Sequence, residues 1–196
     1  MIELHRIVNS LINSCTYVLS AGNDCWLIDV GDIEPIMKYV GGRSVKGAFL
    51  THVHYDHIYG LNELMKHFPD AKIYTMADGK EALQSTKMNF SKYHPEIEPF
   101  SLENTDNVVL MEDEEILKLT ENDELKVICV PGHDVTSVAY MLDDMLFTGD
   151  SYIPNCKLVC SFPRSNRKLA KENEQRLKDL EASGMKIMPG HWIENK

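Results

Sequence analysis

His52-Val53-His54-Tyr55-Asp56-His57 places four metal-capable side chains within six residues, directly after the apolar run Gly47-Ala48-Phe49-Leu50-Thr51. His52 and His54 are two apart, so an extended or turning backbone presents both imidazoles on one side. Asp56 and His57 follow where a helix begins and point into the same space from a different angle. Imidazole with carboxylate suits zinc, iron or manganese, and the thiolates of a closed structural zinc site are missing.

Three further segments share one construction, an apolar strand, a small-residue turn and then a ligand-type residue. They are Val130-Pro131-Gly132-His133, Phe147-Thr148-Gly149-Asp150 and Met188-Pro189-Gly190-His191. Glycine before each ligand lets the backbone turn sharply and approach an ion closely. Five of the eight histidines lie in these motifs, while His5, His67 and His94 stand outside. Any one of them alone reads as a hydrogen-bonded structural histidine. Seven such residues gathered at strand ends read as a metal centre.

The rest of the composition narrows the classes. The chain has 196 residues, a length that suits one domain, here taken as 1–196, able to bury a core without disulfides. Its net charge of −10 argues against a polynucleotide partner. No apolar run reaches the roughly 20 residues that span a bilayer, and no secretory signal is evident, so a cytoplasmic protein is expected. The five cysteines, Cys15, Cys25, Cys129, Cys156 and Cys160, read as reduced thiols without a metal or redox role.

Cys15–Leu19 and Trp26–Val30 read as a hairpin about the turn Ala21–Asp24. Ile58, Leu61, Leu64, Met65 and Phe68 are spaced as one helix face. Lys72–Thr75 reads as a strand and Asp78–Gln84 as a short helix. Residues 85–107 lose periodicity and form either a lid or a solvated excursion. Leu125–Val130 reads as a strand, and Ser137–Leu142 with Met145–Thr148 as a second hairpin. Ser165 is expected to cap a helix through Ala182 that turns Leu169, Leu177 and Leu180 inward and stops at Gly184. Lys186–Met188 is a last strand. Two strand-rich halves with helices suggest two sheets packed face to face, helices outside.

The whole pattern resembles the metallo-β-lactamase-fold superfamily, whose hallmark is HxHxDH followed by single His, Asp and His ligands. The resemblance runs from Asp29-Val30-Gly31 to the final Pro-Gly-His and implies an α/β fold, an αββα sandwich of two mixed sheets with the site at one edge. It implies that His52, His54 and His133 hold a first metal, that Asp56, His57 and His191 hold a second, and that Asp150 bridges both. The cofactors implied are two divalent ions, zinc first, with iron or manganese as substitutes. The set looks most like the glyoxalase-II-like, lactonase and related hydrolase branches. His54 stands where flavo-diiron relatives carry Glu. The chain runs five residues past His191, so the helical glutathione-binding domain of glyoxalase II is expected to be missing. Asp134 and Thr136 depart from the common PGHTxGS, with Ser137 in register.

Two divalent ions about 3.5–4 Å apart can hold a hydroxide between them at neutral pH. The expected activity is hydrolysis of a thioester, ester or lactone of a small-molecule substrate, with Asp56 as the catalytic proton acceptor. A metal-dependent phosphodiesterase and a non-catalytic metal-binding or sensing protein are the alternatives. Asp29 and Thr51 are expected to orient metal ligands, as bound imidazoles usually need; Asp29 reads equally as a turn carboxylate. Tyr93, His94 and Tyr152 are candidates for the substrate pocket. Lys157, Arg164 and Arg167 either attract an anionic substrate or are solvated surface charge.

Overall fold

The structure is a computed structural model and describes residues 2–193. The first sheet runs in the order β1 (Glu3–Val8), β2 (Cys15–Ala21), β3 (Asp24–Ile28), β4 (Ser44–Phe49), β5 (Lys72–Thr75), β6 (Val108–Leu110). The first three strands are antiparallel neighbours, and β3 to β6 pair in parallel. The second sheet holds β7 (Ile116–Lys118), β8 (Glu124–Cys129), β9 (Val138–Leu142), β10 (Met145–Gly149) and β11 (Lys186–Pro189), in the order β11-β10-β9-β8-β7. Only β10 and β11 are parallel there.

The period of two along each strand builds three apolar layers. Tyr17, Leu19, Trp26, Ile28 and Phe49 face Leu125, Val127, Tyr140, Leu142 and Phe147 between the sheets. The alternate residues Val18, Leu27, Ala48 and Ile73 face outward onto α1 (Ile33–Val40), α3 (Leu61–His67) and α4 (Ala77–Leu83). On the other side Ile128, Ala139 and Leu146 pack on Leu177 of α5 (Arg167–Ala182). This is the expected αββα sandwich. Burial on both faces explains why β2 and β3 read as continuous apolar runs. No helix among the described residues is long and apolar enough to cross a membrane.

The expected helix from Ile58 to Phe68 is broken into α2 (Tyr55–Ile58) and α3. The break falls at Gly60, whose backbone N–H donates to the Val30 carbonyl while Val30 N–H donates to that of His57. A Cβ on Gly60 would stand 2.1 Å from the Gly31 carbonyl oxygen, so glycine is needed for this close approach. The cap of α5 is Asn166, whose side chain accepts from the N–H groups of Lys168 and Leu169. Ser165 instead donates to the His133 carbonyl. Leu169 is exposed, and Ala170 takes the inward place beside Leu177. Strands β1, β6 and β7 and helix α1 escape the periodicity reading. The first is a largely exposed edge strand, and β6 and β7 have three residues each.

The two sheets are tied at one end. Val138 N–H donates to the Thr51 carbonyl at 2.7 Å, Cys15 N–H to that of Gly190 at 2.7 Å, and the Tyr17 hydroxyl to that of Pro189 at 2.8 Å. Gly60→Ala should therefore cost about 1–3 kcal/mol by overpacking. Gly42 has open space around its Cβ position, and Gly42→Ala should stay within about 0.5 kcal/mol of the wild type. Urea denaturation of the pair checks this; equal midpoints would refute it.

Candidate metal centre

The seven residues singled out by their motifs meet at this tied end. β4 delivers His52 and His54, and α2 delivers Asp56 and His57. The turn after β8 delivers His133, and the ends of β10 and β11 deliver Asp150 and His191. Donor atoms of His52, His54 and His133 lie within 4.8 Å of one another, as do those of His52, His57 and Asp150 and those of Asp56, His57 and His191. His54 Nδ1 stands 3.1 Å from His133 Nε2, and His57 Nε2 3.2 Å from both His191 Nε2 and Asp56 Oδ2. Asp150 lies between the two groups, its Oδ2 3.6 Å from His133 Nε2 and 3.3 Å from His191 Nε2.

The outer ring nitrogens explain why the inner ones converge. A carbonyl oxygen can only accept, so His133 Nδ1 donates to Val159 at 2.7 Å and His191 Nδ1 to Ile12 at 3.0 Å. His57 Nδ1 donates to Asp29 Oδ2 at 2.8 Å. Thr51 Oγ1 gives its one proton to the same oxygen at 2.7 Å, so it accepts from His52 Nδ1 at 3.1 Å. Asp29 Oδ1 also receives the Thr51 N–H at 2.8 Å. Each of these imidazoles has its outer nitrogen engaged and turns Nε2 inward. His54 is reversed, with Nδ1 inward and Nε2 3.5 Å from Asp134 Oδ2.

Nitrogens and carboxylate oxygens facing one another at such distances need positive charge between them, as protons or as a cation. His52 Nε2 and Asp150 Oδ1 are buried without a hydrogen-bond partner. Donors roughly 2.0–2.2 Å from a tetrahedral zinc ion stand about 3.3–3.6 Å apart. Four of the spacings observed here, 3.3–3.6 Å, fall on that edge, and three, 3.1–3.2 Å, are 0.1–0.2 Å shorter. The donor set fits a divalent metal.

The titration behaviour of the metal-free side chains agrees. Burial, with nearby imidazoles adding to it, lowers His52, and burial lowers His133, so both stay in the neutral ligand form. Burial works against ionisation of Asp56 and Asp150, but His57 and His191 overcome it and hold both carboxyls well below the usual carboxylate range. Burial also works against a charge on His191, yet Asp150 and Asp56 raise it to about 9. Without a metal, protons supply the positive charge that these carboxylates demand.

Against known proteins, the profile described as the metallo-beta-lactamase superfamily matches residues 10–191. The chain belongs to this superfamily. A hydroxyacylglutathione hydrolase of Photobacterium profundum is 31% identical over 131 residues, covering 66% of this chain and 42% of that protein. One of Vibrio cholerae is 28% identical over 152 residues, covering 76% and 51%. The chain thus spans about half the length of the curated relatives it matches. The crystal structure of the BLEG-1 B3 metallo-beta-lactamase superposes with a TM-score of 0.84 at 20% identity, covering 97% of this chain and 92% of that one, which shows the shared fold.

A cleft of about 700 Å³ opens over His54, Asp56, His133, Asp150 and His191. Phe90 and Phe162 form one wall, with ring centroids 4.9 and 4.8 Å from that of His54. Ile12, Trp192 and Ile193 form the rim beside His191. Residues 85–107 contribute Phe90 and His94 and are anchored by Tyr55 N–H donating to the Asn89 carbonyl and by Tyr55 stacking on His94 at 3.9 Å.

His94 and Lys157 do line the cleft. Tyr93 is exposed and does not line it. Tyr152 turns away, buried against α5, with its hydroxyl donating to Glu181 at 2.6 Å. Arg164 pairs with Asp134 at 3.4 Å, and Arg167 borders a neighbouring groove. The sequence reading missed the walls made by Phe162, Ile12 and Trp192, which carry no motif.

The proton on His191 makes a measurable link. Its raised value stabilises the metal-free fold fully below its ordinary value of 6.5, and that contribution is lost as pH rises through about 9. The metal-free protein should therefore lose melting temperature between pH 7 and 10. Zinc added at pH 7 should release protons, seen as a buffer-dependent heat of binding. A buffer-independent heat would refute the picture.

Proposed function

We propose that this chain is a hydrolase that works with two divalent metal ions on carbonyl substrates, thioester or ester before lactone. The observation that carries it is a pair of three-residue donor groups with Asp150 between them, 3.6 Å from His133 and 3.3 Å from His191, facing an open cleft. In this reading His52, His54 and His133 hold the first ion, Asp56, His57 and His191 the second, and Asp150 bridges them. Zinc suits the donors, and iron or manganese takes the same set. When bound, the ions supply Lewis acidity and water deprotonated at neutral pH.

The chain's own residues do the rest. Asp29 and Thr51 hold the rings of His52 and His57 so that their Nε2 atoms face the centre. Asp56 lines the cleft, and its carboxylate would accept the proton of the attacking water. Phe90 and Phe162 exclude water from one side and pack on an apolar acyl group. Lys157 is the one Lys or Arg among the described lining residues, too little positive charge to hold a polyanion in a chain of net charge −10. The similarity to hydroxyacylglutathione hydrolases supports the thioester.

Elemental analysis after zinc reconstitution should give two ions per chain, and Asp150→Ala should lower occupancy of both sites. Loss of one ion alone would show that Asp150 does not bridge. Asp56→Asn should keep both ions and lose about 10²–10⁴ in rate; an active variant with both ions would remove Asp56 as proton acceptor.

The substrate class is tested by kcat/KM on a thioester, a carboxylic ester, a lactone and bis(p-nitrophenyl) phosphate at one metal loading. The thioester and the ester should lead. A tenfold preference for the phosphodiester would reverse the assignment, and no turnover of any of them by the two-metal protein would favour a binding role.

A further inference from the structure

His54 differs from the other four histidines of the centre. Those four turn Nε2 inward and donate from Nδ1 to a carbonyl, a carboxylate or a hydroxyl. His54 turns Nδ1 inward, 3.1 Å from His133 Nε2, and aims Nε2 at Asp134 Oδ2 at 3.5 Å. Both facing atoms are buried and neither has a hydrogen-bond partner, so each is left with the other as its nearest complement. The histidine and aspartate side chains are 5% and 0% exposed.

Asp134 is itself held from three directions. Its Oδ1 accepts from Thr136 N at 2.9 Å and from Thr136 Oγ1 at 2.7 Å, and Arg164 Nη2 lies 3.4 Å away. Asp134 N–H donates to Ser137 Oγ at 3.1 Å. Thr136 Oγ1 in turn receives the N–H of Val53, the residue between His52 and His54. Arg164 belongs to the segment that supplies Val159, the carbonyl partner of His133, and the cleft wall Phe162. A carboxylate is thus fixed behind one imidazole and tied to the loop that shapes the cleft. Aspartate and threonine are also the two residues at which this turn departs from the PGHTxGS pattern.

We propose that Asp134 is the positioning residue of His54. It accepts the Nε2 proton, leaves Nδ1 bare for the first metal, and through Arg164 registers the cleft loop against that metal. The proposal rests on the assignment of His52, His54 and His133 to the first ion. A carboxylate behind a metal-bound imidazole fixes its tautomer and strengthens it as a donor, and loss of such a partner typically costs 10–100-fold in metal affinity. Asn in place of Asp keeps an oxygen for Thr136 but offers His54 an N–H, which forces Nε2 to accept and moves the proton to Nδ1.

Long-range ¹H–¹⁵N spectra of the imidazoles in the metal-free wild type at pH 8 should show His54 as the Nε2–H tautomer and His52 and His133 as the Nδ1–H tautomer. A wild-type His54 carrying its proton on Nδ1 overturns the proposal and needs no variant. In Asp134→Asn the His54 signal should shift toward Nδ1–H. Chelator competition should then show first-site zinc affinity lowered 10–100-fold with the second site unchanged. Arg164→Gln, which leaves Asp134 in place, should retain the tautomer and lose less than a tenth of that affinity change. Two zinc sites of wild-type affinity in a folded Asp134→Asn also overturn the proposal. A wild type that binds no metal at all would instead remove the two-metal reading beneath it.

Discussion

The Asp29 carboxylate is the contact on which the arrangement of the centre depends. Asp29 follows β3 in the left-handed region, at φ +57°, where Asp is among the residues best able to go. That turn brings its two oxygens against the backbone and hydroxyl of Thr51 and the ring of His57. One buried side chain therefore joins the ends of two parallel strands to the first helical turn of the ligand segment. Its negative charge is balanced by donors it orients, and the imidazoles so oriented present lone pairs to a common point.

Such a concentration of polar groups is costly inside a sandwich whose other interior is apolar. Buried charges need partners, and removing one partner leaves the other exposed to the full penalty. Here Asp56 and Asp150 stay ionised because His57 and His191 face them. The positive charge required there can be protons or metal ions.

The sheets supply rigidity at the same end. Backbone bonds from Val138 to Thr51 and from Cys15 to Gly190 cross between them beside the candidate metal centre. The ligand turns are anchored to strands on both sides, while the cleft walls come from irregular segments around Phe90 and Phe162. Scaffold and specificity are thus carried by different parts of the chain.

The sequence by itself determined the donor set. Clustered HxHxDH and the three strand-end turns are local patterns, legible because metal ligation restricts residue type and spacing at once. Strands also read well where alternation or continuous burial imposed a period. Other features came only from the tertiary structure. The helix breaks at Gly60 because the Gly31 carbonyl, 29 residues earlier, presses on it. Tyr152 turns toward Glu181 and Tyr93 into solvent, though both flank motif residues or the irregular segment. The carbonyls of Val159 and Ile12 that fix two histidines leave no trace in composition, since every residue has a carbonyl and only folding decides which one a ring meets. His191 and Ile12 are 179 residues apart in the chain. Local pattern names the residues that can bind; the packing of distant backbone decides where each one points.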